Sequence, residues 1–246
     1  MKIIMVAAGN ADKNIINEYY TPEKTYLVGI DGGTRFILDA GLVPDLFVGD
    51  MDSLIISDEE RIRLSEAECV KLVPEKDDTD TEHAVRLILE RLKSGWVPAP
   101  GRLDDPAGIS VPDEPNDLYD QDNDGAMQII ILGATGTRLD HTFANINLLK
   151  LFEENGINAF IRDEHNRIRV AGKNICLKKA ESFGKYFSLL PFTDEVKGLS
   201  IKGAKYELDD YILTRGTARC VSNEYTEGDV FISFESGSLI VIESVD

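Results

Sequence analysis

Through the first two-thirds of the chain, short apolar runs alternate with stretches whose apolar residues recur at helical spacing. Ile3–Ala8, Tyr26–Ile30, Leu46–Val48, Val70–Val73 and Met127–Leu132 have the length and continuous apolar character of strands buried on both faces. Between them, Ser57 followed by Glu60 makes a capping-box pattern ahead of a helix over Arg61–Ala67. Thr81–Lys93 places Val85, Ile88, Leu89 and Leu92 on one face and stops at Gly95. Leu139–Asn155 does the same with Phe143, Ile146, Leu149 and Phe152, ahead of Gly156. Strands and helices alternating across short loops predict an open, mostly parallel α/β sheet of Rossmann-like type.

The texture changes after residue 158. Ala159–Arg162, Arg167–Val170, Lys185–Pro191, Gly198–Lys202, Tyr211–Thr214, Val230–Phe234 and Leu239–Ile242 are strand-length, separated by turn residues, and carry no helical pattern. Closely spaced strands of this kind predict an antiparallel β-sandwich or barrel. The chain therefore reads as α/β plus all-β: an α/β domain over 1–160 and a β-sandwich over 161–246.

One segment breaks the alternation. Residues 95–125 hold eight acidic residues and one Arg and are rich in proline, the composition of a solvated insertion. Its DQDNDG end matches half a calcium loop but lacks the closing Glu. Across the whole chain, 44 acidic against 26 basic residues give a formal charge of -18, which disfavours a nucleic-acid backbone or an anionic membrane as a general partner. No apolar run reaches the roughly 18 residues of a spanning helix, and MKIIMVAAGN lacks the features of a signal peptide. Cys69, Cys176 and Cys220 are few and far apart, which points to a reducing cytoplasm.

Ligands of open parallel sheets bind outside the carboxyl ends of the strands. There the sequence places Asp31-Gly32-Gly33, then Gly49-Asp50-Met51-Asp52-Ser53, then Asp77-Asp78-Thr79-Asp80, then Gly133 through Arg138, Asp140 and His141. Taken singly, Asp50, Asp52, Asp78 and Asp80 suit helix caps and turns. Together they would repel one another unless a cation were present. Oxygen donors without cysteine favour Mg²⁺ or Mn²⁺, which complete their shell with water and phosphate oxygens. That points to a metal–nucleotide site. No GxxxxGK[ST] loop is present, so this is not a P-loop enzyme, and no GxGxxG follows the first strand to support a dinucleotide-binding fold. Gly133–Arg138 has the small residues of a phosphate cradle, and Lys76 stands equally well as phosphate contact or surface charge.

The ordered set Asp31-Gly-Gly, Gly49-Asp-Met-Asp-Ser53, Asp77-Asp-Thr-Asp80 and Gly136-Thr-Arg-Leu-Asp-His141 closely resembles the thiamine pyrophosphokinase family, and the resemblance spans essentially the whole chain. Gly198–Leu208, Gly216-Thr217 and Ser222-Asn223-Glu224 look like that family's C-terminal thiamine-binding half. The long acidic insertion and Ala218–Val221 are departures. The resemblance implies transfer of the pyrophosphoryl group of ATP to the thiamine hydroxyl, releasing AMP. It implies Mg²⁺ as cofactor and a homodimer whose active sites lie between the α/β domain of one subunit and the sandwich of the other. Carried over, Asp50, Asp52 and Asp80 are the catalytic and metal-site carboxylates, and Asp31 joins the acidic set on the ATP side. Asp78, Thr79, Arg138, Asp140 and His141 line the rest of the ATP side, while Ser222 and Asn223 belong to thiamine. Two other readings compete: a pyrophosphokinase for another alcohol such as a hydroxymethylpterin, and a non-catalytic thiamine sensor. A sensor has no need of the carboxylate set, and Ser222-Asn223-Glu224 favours thiamine over a pterin.

Overall fold

The computed structural model describes residues 1–50, 54, 56–72, 78–100 and 127–246. Lys76, Asp77 and Asp52, and the DQDNDG stretch of the insertion, lie outside the described residues. Among the described residues the chain divides into two compact units, one formed by 1–100, 127–148 and 162–164, the other by 149–161 and 165–246. No helix among them is long and apolar enough to cross a membrane.

The first unit is built in the order β1 (Lys2–Val6), α1 (Lys13–Tyr19), β2 (Thr25–Ile30), α2 (Thr34–Asp39), β3 (Leu46–Gly49), α3 (Asp58–Leu64), β4 (Glu68–Lys71), α4 (Asp80–Lys93) and β5 (Gln128–Leu132), and α5 (Leu139–Glu153) leads out of it. Its strands are all parallel, in the order β5-β1-β2-β3-β4. β1, β2 and β3 are buried nearly throughout, as strands covered on both faces must be. β4 differs from the expected doubly buried Val70–Val73. It is an edge strand beginning at Glu68, mostly exposed, and its charged ends blunt the open edge.

Local chemistry accounts for most of the helix boundaries. Ser57 and Glu60 form the reciprocal capping box, with Ser57 N–H donating to Glu60 Oε2 at 2.8 Å and Glu60 N–H to Ser57 Oγ at 3.2 Å. α3 consequently starts at Asp58, three residues earlier than the apolar pattern suggests. α4 buries Val85, Ile88 and Leu89 as expected. α5 buries Ile146, Leu149 and Phe152, but Phe143 is 65% exposed instead of sharing their face. α1 and α2 have no counterpart in the sequence reading, because six or seven residues are too few to establish a 3.6-residue period. Trp96 packs edge-on against Tyr26 with ring centroids 5.0 Å apart and under the Arg91 guanidinium.

The second unit contains all but the last residue of β6 (Asn158–Arg162), then β7 (Asn166–Ala171), β8 (Ile175–Leu177), β9 (Tyr186–Pro191), β10 (Glu195–Lys202), β11 (Leu208–Thr214), β12 (Asn223–Glu224), β13 (Val230–Ser233) and β14 (Leu239–Ser244). Strands run β6-β7-β14-β9-β12 on one side and β11-β10-β13-β8 on the other, with antiparallel pairing at β7–β14, β14–β9 and β9–β12 and throughout the second sheet. Alternate residues of both sheets, among them Ile175, Phe187, Leu189, Leu199, Leu213, Val230 and Val241, meet in one apolar core. This is the expected antiparallel sandwich. β8 and β12 are too short to read from sequence alone.

Candidate active site

The carboxyl ends of β1, β2, β3 and β5 open onto one edge of the parallel sheet, and a cleft of about 700 Å³ lies there, within the first unit. The loop after β1 supplies Ala7 to Asn10, β2 supplies Asp31, and β3 supplies Asp50. The start of α4 adds Asp78 to Thr81. The turn after β5 adds Gly133 to Arg138, and His141, Thr142 and Asn145 follow on α5. The cleft thus gathers Asp31, Asp50, Asp78, Thr79, Asp80, Arg138 and His141, the described members of the set expected on the ATP and metal side apart from Asp140.

Capping and cleft-lining turn out to be compatible at the α4 start. Thr79 Oγ1 accepts from Glu82 N–H at 3.2 Å, capping the helix, while Asp80 in its first turn suits the positive end of the helix dipole. Asp31 sits at the end of β2 with φ 45°, a left-handed backbone that a non-glycine residue adopts at a cost of about 1–3 kcal/mol. Asp50 and Asp78 are exposed and Asp31 and Asp80 half-buried, so water and a soluble ligand reach all four.

At the cleft mouth, the Arg138 guanidinium donates to both oxygens of Asp140, from Nε at 3.2 Å and from a terminal nitrogen at 2.6 Å. Those hydrogen bonds hold the Asp140 carboxyl down to about 2, so it is ionised at any pH where the protein would work. Asp140 itself is not part of the cleft wall; its place is beside Arg138, which is. The pairing orients the guanidinium and leaves further N–H donors for an anion.

The floor is formed by two loops in close contact. Ala7 N–H donates to Leu132 O at 2.8 Å, and Gly9 N–H to Gly133 O at 2.8 Å. Gly133 has φ +65°, and a Cβ there would lie 2.1 Å from Ala7 O. Gly133→Ala is therefore expected to lower stability by about 2 kcal/mol or more, through both the backbone conformation and the clash. Thermal unfolding checks this, and an unchanged midpoint would show that the loops separate freely.

The residues from 18 to 161 match the family model "Thiamin pyrophosphokinase, catalytic domain", and those from 173 to 239 match "Thiamin pyrophosphokinase, vitamin B1 binding domain". The chain belongs to the thiamine pyrophosphokinase family. It is 32% identical to the thiamine pyrophosphokinase of Bacillus subtilis (strain 168), with all of both chains covered. A crystal structure of thiamine pyrophosphokinase from Bacillus subtilis superimposes with a TM-score of 0.76 at 30% identity, again over 100% of each chain. One from Geobacillus thermodenitrificans gives 0.73 at 26% identity, covering 100% of this chain and 98% of that one.

Two residues expected on the thiamine side of this family member lie in the second unit and differ in character. Ser222 is exposed, has φ 57°, and its N–H donates to Ser188 Oγ at 3.0 Å. Asn223 is buried, with 3% of its surface exposed. Its Nδ2 donates to Tyr206 O at 2.8 Å and its Oδ1 accepts from Tyr206 N–H at 3.0 Å. The Asn223 amide thus grips the backbone of Tyr206, an exposed residue. Sequence reasoning missed Asn10, Asn145 and Asp163. Asn145 carried a usable signal: it is a polar residue four and seven positions before Leu149 and Phe152, on the face they mark as buried. Asp163 touches the cleft through Thr135, whose hydroxyl donates to its Oδ2 at 2.8 Å, and a pairing 28 residues apart leaves no local pattern.

Proposed function

We propose that the protein transfers the pyrophosphoryl group of ATP to the hydroxyl of thiamine, forming thiamine diphosphate and AMP. The observation that carries this reading is the succession of catalytic-domain and vitamin-B1-binding matches along one chain, with the first enclosing most of a carboxylate-lined cleft. Asp31, Asp78, Thr79, Arg138, Asp140 and His141 serve the nucleotide. Asp50, Asp52 and Asp80 form the metal and catalytic set, and Ser222 serves thiamine, with Asn223 acting through the Tyr206 backbone it holds.

The residues present fit Mg²⁺. The cleft offers water-accessible carboxylate oxygens and no cysteine, the hard donor set this ion takes. When bound, Mg²⁺ supplies charge neutralisation for the triphosphate and the departing AMP oxygen.

The chain's own residues do the positioning. Arg138 faces the polyphosphate with a planar fork of donors, and the Gly133–Arg138 turn lets phosphoryl oxygens approach the backbone. One carboxylate of Asp50, Asp52 and Asp80 accepts the proton from the thiamine hydroxyl as it attacks the β-phosphorus in line with the leaving oxygen. Little covalent work falls to the protein, so alignment and electrostatics dominate. The acidic surround also favours approach of the cationic thiazolium. The reading includes a homodimer, supported by the resemblance and by exposed Leu139 and Phe143 on α5 beside the cleft. It includes a cytoplasmic setting, supported by cysteines that are few and far apart along the sequence.

Incubation with thiamine, ATP and Mg²⁺, followed by chromatography of both products, tests the reaction. Equal amounts of AMP and thiamine diphosphate are expected, with none formed in EDTA and a hydroxymethylpterin left unreacted. ADP in place of AMP, or turnover of the pterin alone, would overturn the proposal.

A further inference from the structure

In the turn after β5, three consecutive carbonyls are each held by a donor from elsewhere in the first unit. Gly9 N–H donates to Gly133 O at 2.8 Å, Asn145 Nδ2 to Ala134 O at 2.7 Å, and Asn10 N–H to Thr135 O at 2.7 Å. The Thr135 hydroxyl is engaged with Asp163. In a planar trans peptide, a carbonyl and the N–H that follows it point in opposite directions. Holding the carbonyls of Ala134 and Thr135 therefore sets the directions of the Thr135 and Gly136 N–H groups.

Among the described residues, the amides of Thr135, Gly136 and Thr137 donate to no protein acceptor. All three residues line the cleft, next to Arg138. Successive N–H groups with their carbonyls drawn away form an anion-binding concavity. Of the three groups that draw the carbonyls away, two are backbone amides. The third is the side chain of Asn145, itself buried on α5 with 7% exposure. A buried amide keeps its orientation because turning it would leave donor and acceptor unsatisfied.

Resting on the reading of this cleft as the ATP site, we propose that Asn145 is a positioning residue for the polyphosphate. By holding the Ala134 carbonyl it aims the Thr135 and Gly136 N–H groups at phosphoryl oxygens. The Thr135–Asp163 hydrogen bond serves the same end by fixing the Thr135 side chain, so that this residue meets the anion through its N–H and not its hydroxyl.

Asn145→Asp keeps the shape but sets an oxygen against the Ala134 carbonyl in place of a donor. KM for ATP is expected to rise about tenfold or more, the effect of one misdirected hydrogen bond to a charged ligand, with the thiamine KM unchanged and kcat at saturating ATP within about threefold. A residue that merely supported the fold would lower kcat and the thermal midpoint together and leave KM for ATP alone, and that result overturns the proposal. Calorimetric titration of ATP with Mg²⁺, without thiamine, separates this proposal from the assigned reaction. If wild type forms no thiamine diphosphate yet binds ATP about tenfold tighter than Asn145→Asp, the reaction falls and the positioning role stands. If wild type turns over and both proteins bind ATP equally, the positioning role falls. Wild type that binds no ATP sinks both. Should the variant fail to fold, hydrogen exchange on wild type decides: ATP with Mg²⁺ is expected to slow exchange across residues 135–137, and unchanged exchange at saturation overturns the proposal.

Discussion

Asp50→Asn is expected to lower kcat for pyrophosphoryl transfer by about 10²–10³-fold, the range seen when one group that stabilises transition-state charge is removed. The substitution keeps the side-chain size and removes only the negative charge at the end of β3. A neutral amide is a poor ligand for a hard divalent cation and accepts no proton at neutral pH. Stability should move little, by about 0.5 kcal/mol or less, because Asp50 is exposed and outside the core. Asp58→Asn supplies the control. Asp58 lies in the first turn of α3, away from the cleft wall, where losing the charge costs a few tenths of a kcal/mol at about that scale and should leave activity intact. Steady-state kinetics beside thermal unfolding read both effects. Activity above about a tenth of wild type would remove Asp50 from the catalytic set, and parallel loss of stability and activity would make it a structural residue.

The largest effect on stability is expected from Glu243→Gln in the second unit. Glu243 is 1% exposed and lies opposite Arg167 in the β7–β14 pair. Arg167 donates to both its oxygens at 2.8 Å, Arg169 to Oε2 at 2.7 Å, and the Tyr225 hydroxyl to Oε1 at 2.6 Å. Glutamine keeps the shape but removes the buried carboxylate charge that faces the partly buried guanidinium groups of Arg167 and Arg169. Removing one partner of such a buried pair costs about 3–5 kcal/mol. For a chain of this size that is roughly a 10 °C fall in the thermal midpoint, and a fall of less than about 2 °C would show that water or other acceptors replace the carboxylate.

The same network gives a pH dependence whose sign follows from the carboxylate. Burial tends to raise the Glu243 pKa, but the hydrogen bonds and charges of Arg167 and Arg169 outweigh it and bring the pKa to about 2, below the ordinary value of 4.5. A carboxyl depressed in the folded state contributes its full stabilisation above the unfolded value and loses it as pH falls through the folded one. The stability difference between wild type and Glu243→Gln should thus be constant above about pH 5 and shrink between about 4.5 and 2. Burial, followed by the neighbouring Glu243, raises the Tyr225 phenol, which keeps its proton available as a donor to the carboxylate across the whole range.

Much of this molecule follows from local sequence. Continuous apolar runs alone identify β1, β2, β3 and β5, because a strand buried on both faces admits few polar residues. The Ser57–Glu60 cap and the apolar face of α4 are set by contacts three or four residues apart, and these repeat as a pattern. The carboxylates of Asp31, Asp50 and Asp80 were legible for a related reason: each follows a strand or opens a helix, and parallel strands must end on one edge. Other features exist only once distant segments meet. The exposure of β4 depends on its being last in the sheet, and that of Phe143 on what α5 packs against. Asn145 reaches Ala134 across 11 residues, Thr135 reaches Asp163 across 28, and Arg167 reaches Glu243 across 76. Such pairings have no periodicity to read. A lone polar residue in an apolar stretch signals that a partner exists, but only tertiary structure determines which group supplies the hydrogen bond and what that bond then orients.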